Sequence, residues 1–159
     1  MAKRDHRAQI AEMIKQQRWA ALATVDAQGV PAASMVAYAA DAERACLYLH
    51  LSGLAAHTKE LLMQPTAGMV ISACDEGDGD PQQLARLSLR IRCVELARDG
   101  EDYLAAKRCY LGRLPDAEQL FGFGDFKLFH AEIEGARFVG GFGQAHSYRG
   151  EEIAGLLRT

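Results

Sequence analysis

The amino-acid sequence predicts a mainly β protein of the α+β class, built as a small antiparallel barrel with a few helices attached. Long segments alternate apolar and polar residues with the two-residue period of a half-buried strand. Tight turns rich in glycine and aspartate separate these segments. The helical patterns are scattered and do not alternate regularly with strands, which favours antiparallel pairing over a parallel α/β sheet.

The first half of the chain predicts a helix, a hairpin, one more strand and a second helix. Ala8, Ala11 and Ile14 recur at helical spacing behind Asp5, a suitable N-cap. These elements are expected at 6–18 for the helix, 19–25 and 30–38 for the hairpin with its turn at 26–29, 46–51 for the third strand and 54–63 for the second helix. Pro65 ends the second helix.

The second half predicts further strands around one helix. The segment "LARLSLRIRCVEL" alternates leucine or isoleucine with polar residues, which indicates a strand with one buried face. In order, we expect a strand at 66–73, an exposed acidic loop at 74–83, a strand at 84–96, a helix at 101–112, a glycine-rich segment at 121–126, and strands at 126–133 and 136–142 joined at Glu134–Gly135. The prediction totals six or seven strands and three or four helices.

Composition limits the possible functions. A chain of 159 residues that is 49% hydrophobic can fill one core, so residues 1–159 are predicted to form a single domain. A formal net charge of -3 provides no broad field for nucleic acid or an anionic membrane, and neither is expected as a partner. No signal peptide or long apolar run is visible, which predicts a cytoplasmic protein. The four cysteines form no C-x-x-C pair, so reduced thiols and no structural metal are expected.

Familiar catalytic motifs are missing from the sequence. "GGFGQAH" and "FGFGDF" lack the third glycine and the strand-to-helix placement of a dinucleotide fingerprint. The sequence contains no Walker A motif, no G-x-S-x-G and no H-E-x-x-H. We therefore assign no catalytic residue.

The stretch "SGLAAHTKELLMQP" is the best candidate for an anion site. Ser52 comes at the end of an apolar strand, and the helix that follows carries Thr58 and Lys59 in its first turns. Free backbone N–H groups at a helix start, a hydroxyl and an ammonium group together favour a phosphate. The alternative is an ordinary helix start with an exposed lysine.

Four segments occur in an order that resembles a known family: "ATVDAQGVPAASMVAY", "LYLHLSGLAAHTKELL", "DPQQLARLSL" and "DFKLFHAEIEGARFVGGFGQA". Together they resemble the FMN-binding split-barrel family related to pyridoxamine 5′-phosphate oxidase, and most of all its haem-utilisation branch. The resemblance covers about residues 7–148. It implies a homodimer with a six-stranded split barrel in each subunit and ligand sites at the interface.

The resemblance also implies roles for individual residues, carried over from the matching motifs. Ser34, Met35 and Val36 would line a flavin, while Arg86 would approach the polar edge of its ring. The FMN phosphate would be held by Ser52, Thr58 and Lys59. Glu60 stands where the branch usually has asparagine, so its carboxylate is expected to turn outward or to pair with Lys59.

The resulting functional prediction is an FMN-dependent oxidoreductase that acts on an unidentified small molecule, with the flavin as the reactive group. The alternative is a haem-binding or haem-degrading protein that uses the same dimer cleft, with basic residues pairing the propionates and a histidine on the iron. A flavin or haem carrier without catalytic activity is a third possibility.

Overall fold

The computed structural model describes residues 6–159, which form eight strands and four α-helices. Asp5, the predicted N-cap of the first helix, lies outside the described residues. Two short 3-10 helices cover Pro81–Gln83 and Pro115–Gly122. The helices are α1 (His6–Gln16), α2 (Ala56–Met63), α3 (Glu101–Arg113) and α4 (Gly150–Arg158). The strands are β1 (Trp19–Val25), β2 (Pro31–Ala37), β3 (Ala39–Asp41), β4 (Cys46–Ser52), β5 (Thr66–Ser72), β6 (Arg86–Glu95), β7 (Phe126–Val139) and β8 (Ala145–Arg149).

The strands form one antiparallel half-barrel sheet in the order β2-β1-β5-β6-β7-β4-β3. Strand β8 pairs with the C-terminal part of β7, beyond the residues that pair with β4. The mixed α and β class and the antiparallel pairing are confirmed. The structure has eight strands within residues 6–159, against the six or seven counted from the sequence and the six implied by the resemblance, because the short β3 and β8 both join the sheet.

The core fills the inner face of the curved sheet. On β6 the buried side chains are Leu87, Leu89, Ile91 and Cys93, and the residues between them reach the outer face. The period-two prediction for this strand is therefore confirmed. Two helices close the core with fully buried side chains at Ile10 and Ile14 of α1 and at Ile153 and Leu157 of α4.

Strand β7 corrects the prediction of two short strands joined at Glu134–Gly135. It is one strand of 14 residues, and its pairing with β6 continues through this dipeptide. The register shifts there, since Arg90 pairs with Gly135 and Ile91 with Ile133, which leaves Glu134 as the extra residue of a β-bulge. The dipeptide Glu-Gly is typical of a turn when only neighbouring residues are considered. Pairing with ten residues of β6 nevertheless keeps β7 extended.

A second, smaller core lies on the outer face of β4 and β7, under α3. Its buried residues include Tyr48 and Leu128 from the sheet and Tyr110 and Phe121 from the covering segments. Within residues 6–159 no helix is long and apolar enough to cross a bilayer. The final strand and helix, β8 and α4, were not predicted.

Candidate functional site

The three residues predicted to line a flavin lie on β2, an edge strand of the sheet. Val36 is buried in the core, at 4% exposure, whereas Met35 faces outward and is 48% exposed. Ser34 is half-buried on the same side as Val36. The side chains of Met35 and Val36 therefore point to opposite faces of the sheet, and contact of these residues with a flavin stays a prediction.

The residues predicted to form the phosphate cup lie in three different environments. The Ser52 hydroxyl donates to Asp125 Oδ2 at 2.7 Å and accepts from the Leu54 N–H at 3.2 Å. Thr58 is fully buried, while Lys59 is exposed. The Asp125 carboxylate at Ser52 would repel a phosphate. The Thr58 hydroxyl has no hydrogen-bond partner within residues 6–159, and Lys59 makes no salt bridge there, so the phosphate cup stays a prediction.

Glu60 neither turns outward nor pairs with Lys59, which corrects the expectation from sequence. Its carboxylate accepts a hydrogen bond from the hydroxyl of Thr24, a buried residue of β1. This contact joins α2 to the sheet and satisfies a hydroxyl that would otherwise be buried without a partner.

Arg86 is also committed to a structural contact. Its Nη1 donates to the carbonyl oxygens of Gln82 at 3.0 Å and Leu84 at 3.2 Å. These bonds hold the end of the acidic loop against the start of β6. None of the seven predicted site residues is among the residues that line the cavity described next.

A cavity of about 640 Å³ lies on the outer face of the sheet, where strand register brings distant residues into two rows. One row runs Ala33–Ala23–Gly68–Arg90–Gly135 across five strands. The neighbouring row runs Met35–Ala21–Val70–Ser88–Arg137–Ser147. Alanine, glycine and serine predominate, so the cavity has a shallow, flat floor. We call it the outer cavity, and its lining includes Ala23, Thr24, Gly68, Ser88, Arg90, Gly135, Arg137 and Ser147.

Two arginines give the outer cavity its charge. Arg90 and Arg137 are exposed and lie on adjacent strands, in neighbouring rows. In the described part of the chain, neither guanidinium group lies within salt-bridge distance of a carboxylate. Two uncompensated guanidinium groups beside a flat floor can bind a flat molecule that carries two carboxylates. The polar face of the β6 alternation was the sequence signal for Arg90, but nothing local linked it to Arg137.

Comparison with known proteins identifies relatives along most of the chain. The family model described as "CREG, beta-barrel" matches residues 2–152. "Heme oxygenase HutZ" of Vibrio cholerae is 30% identical over 155 residues, covering 94% of this chain and 84% of its own length. "Non-canonical heme oxygenase HOZ, chloroplastic" of Arabidopsis thaliana is 32% identical over 124 residues, covering 78% of this chain.

A solved structure is similar over nearly the same range. The heme binding protein from Mycobacterium smegmatis has a TM-score of 0.83 and 28% identity, over 94% of this chain. This chain covers only 60% of that protein, and the match with the Arabidopsis relative covers 36% of the latter's length.

These relatives correct the main functional prediction. An FMN-dependent oxidoreductase is wrong as the first interpretation, since the relatives are named for haem. The haem-related alternative is the better supported of the two. The resemblance itself is confirmed: the chain belongs to the CREG-type β-barrel family, in the haem-utilisation branch of the split-barrel proteins related to pyridoxamine 5′-phosphate oxidase.

Proposed function

We propose that this protein binds haem in the outer cavity and takes part in haem utilisation. The observation that carries the proposal is the pair of uncompensated arginines, Arg90 and Arg137, beside a floor of alanine, glycine and serine. Haem is a flat molecule with two carboxylates at one edge. The printed names of three relatives, each of which refers to haem, support the same ligand.

Among residues 6–159, those that line the cavity suit the propionates and the flat ring of haem better than they suit its iron, for which they supply no histidine ligand. Its volume of about 640 Å³ is within the range of roughly 300–1,000 Å³ that is usual for small-molecule sites. The floor residues Ala23 and Gly68 leave room for a ring to approach the sheet closely. Of the residues that the structure describes, no histidine lines the cavity, so the expected histidine on the iron is not among the lining residues. The proposed binding energy therefore comes from ring contact and charge pairing.

Removing either arginine is expected to weaken haem binding. Each propionate contact is charge-assisted and contributes about 1.5–3 kcal/mol, so Arg90→Ala and Arg137→Ala should each weaken binding about tenfold or more. The measurement is a titration of the full chain with haemin, followed by its visible absorption. Arg108→Ala, which removes an exposed arginine of α3 that does not line the cavity, is the matched control.

Haemin dimethyl ester provides a second control because it keeps the ring and the iron but has no carboxylates. The wild type should bind the ester more weakly than haemin, and in each arginine variant this difference should be smaller because one propionate contact remains. Equal affinity of the wild type and both variants for haemin would contradict the proposed site.

Cleavage of the haem ring is a second candidate function, favoured by the name "heme oxygenase" of two relatives at least 30% identical to this chain. The reaction consumes molecular oxygen and electrons from a reductant. Adding ascorbate in air to the haem-loaded protein distinguishes the candidates. An oxygenase loses the haem absorption, whereas a protein that only binds haem retains it.

We also propose that a second copy of the chain covers the outer face, as the resemblance implies. Trp19, Met35 and Val70 lie on this face and are 55%, 48% and 39% exposed, which is a large apolar surface to leave in water. Light scattering should report about twice the mass of one chain. Met35→Glu should shift the mass towards one chain, whereas Leu104→Glu, at an exposed leucine of α3, should not. A wild-type monomer at micromolar concentration would contradict this assembly.

A further inference from the structure

A second pocket lies elsewhere on the sheet, beside the start of α3. Its volume is about 310 Å³, and it is lined by Arg44, Tyr48, Val94, Leu96, Asp102 and His130. We call it the Tyr48 pocket. It shares no residue with the outer cavity. Along β6 and β7 the bulge at Glu134 lies between them, since the outer cavity uses Arg90 and Gly135 and the Tyr48 pocket uses Val94 and His130.

The floor of the Tyr48 pocket is a cross-strand row. Tyr48 of β4 pairs with His130 of β7, which pairs in turn with Val94 of β6. The rings of Tyr48 and His130 meet edge to face, with centroids 6.1 Å apart. Tyr48 is buried, but Val94 remains 54% exposed. The floor is therefore an apolar and aromatic surface that still contacts water and would gain from being covered.

Charges of opposite sign line the same pocket. The Arg44 side chain is 44% exposed, and its closest carboxylate is that of Asp41 at 4.0 Å. Asp41 is itself engaged by the Tyr48 hydroxyl at 3.2 Å and by the Arg44 backbone N–H at 3.0 Å. Asp102, in the first turn of α3, makes no salt bridge with any of residues 6–159. Asp102 nevertheless lies close enough to the Arg44 guanidinium group to contribute, after Tyr48 and Asp41, to the raised pKa of Arg44. The pocket thus presents a cation and a carboxylate outside salt-bridge distance of each other around an apolar floor.

We propose that the Tyr48 pocket binds a free amino acid with a large apolar side chain. The carboxylate of the ligand pairs with Arg44, its ammonium group pairs with Asp102, and its side chain lies on Tyr48, Val94 and His130. A volume at the small end of the usual range for ligand sites suits a molecule of this size. A ligand that lacks either the carboxylate or the ammonium group would cover Arg44 or Asp102 without pairing it, and the lost hydration of that side chain would weaken binding. This site is independent of the proposed haem site.

Three probes of the same shape test the pairing: L-phenylalanine, 3-phenylpropanoate without the ammonium group, and 2-phenylethylamine without the carboxylate. Titration of the isotope-labelled full chain, followed by amide chemical shifts, gives each affinity. L-phenylalanine should bind at least about tenfold more tightly than either of the others. The shifts should map to the Tyr48 pocket.

Two variants assign each charge to its partner. Arg44→Ala should bind L-phenylalanine and 2-phenylethylamine equally, because the carboxylate no longer has a partner. Asp102→Ala should bind L-phenylalanine and 3-phenylpropanoate equally. The control Arg108→Ala changes an exposed residue of α3 outside the pocket and should keep the wild-type order. Equal binding of all three probes by the wild type, or no binding of L-phenylalanine at millimolar concentration, would overturn the proposal.

Discussion

Replacing Gly150 by alanine is expected to lower the free energy of unfolding by about 3 kcal/mol, which is the cost of severe overpacking. Gly150 begins α4 directly beside the bulge of β7. An added Cβ would clash with the Ile133 carbonyl oxygen and lie 3.1 Å from the Glu134 Cα. Both are backbone atoms of the central strand. They cannot move without disturbing the pairing of β7 with β6 and β8.

The effect should be visible in thermal and urea unfolding followed by circular dichroism. For a chain of this length, 3 kcal/mol corresponds to a fall of roughly 6–12 °C in Tm. Gly155→Ala is the matched control because Gly155 lies inside α4 and an added Cβ meets nothing within 4 Å. That variant should gain about 0.5–1 kcal/mol from helix propensity. Equal stability of Gly150→Ala and the wild type would show that α4 does not begin against the bulge.

The second large effect is a loss of stability in acid that depends on His50. This residue of β4 is 6% exposed, and its ring stacks on Phe121 with centroids 3.7 Å apart and an angle of 9° between the ring planes. Tyr110 and Phe126 pack around the same ring. Neither ring nitrogen has a hydrogen-bond partner among residues 6–159. Burial, reinforced by the nearby cations Arg98 and Lys107, lowers the pKa of His50 to about 4.

The sign of the pH effect follows from this lowered pKa. In the unfolded chain the pKa is about 6.5, so on acidification the unfolded state takes up a proton before the folded state does. Stability therefore falls as the pH drops from about 6.5 towards 4. Between pH 7 and pH 4.5 the contribution of His50 amounts to about 2–3 kcal/mol.

Comparison with His50→Phe separates this contribution from those of other groups. Glu152, whose pKa is lowered chiefly by a hydrogen bond from the Arg149 backbone N–H, also loses stabilising contacts in acid, but it does so in both proteins. The variant keeps an aromatic ring in the stack and removes two buried nitrogens without partners, so it should be at least as stable at pH 7. Urea unfolding at both pH values provides the measurement. A wild type and variant with the same pH dependence would exclude His50 as the cause.

Local sequence patterns predicted the elements that depend on residues close together in the chain. The hairpin of β1 and β2 was predicted from its Asp-to-Gly turn, where the Asp26 side chain accepts from the N–H groups of Gln28 and Val30. Gly29 there has a φ of 78°, which glycine adopts readily. The alternation along β6 likewise identified its buried face. The family resemblance was also available from the sequence, because its motifs are short and occur in order.

The candidate site was decided by contacts between residues far apart in sequence. The sequence around Ser52 suggests a hydroxyl available to a phosphate. In the structure that hydroxyl donates to the carboxylate of Asp125, 73 residues away in the chain. Strand β7 continues through Glu134–Gly135 because β6 pairs along it, a constraint absent from the dipeptide itself.

Turns and alternation follow from backbone geometry over a few residues, so the sequence alone determined most of the strands, most of the helices and the family. The outer cavity depends on strand register, which places Arg90 and Arg137 on adjacent strands beside a floor of small residues from other strands. That register is set by packing the whole core at once, because a shift of one residue would turn the buried side chains outward. Only the tertiary structure could therefore bring the two arginines together.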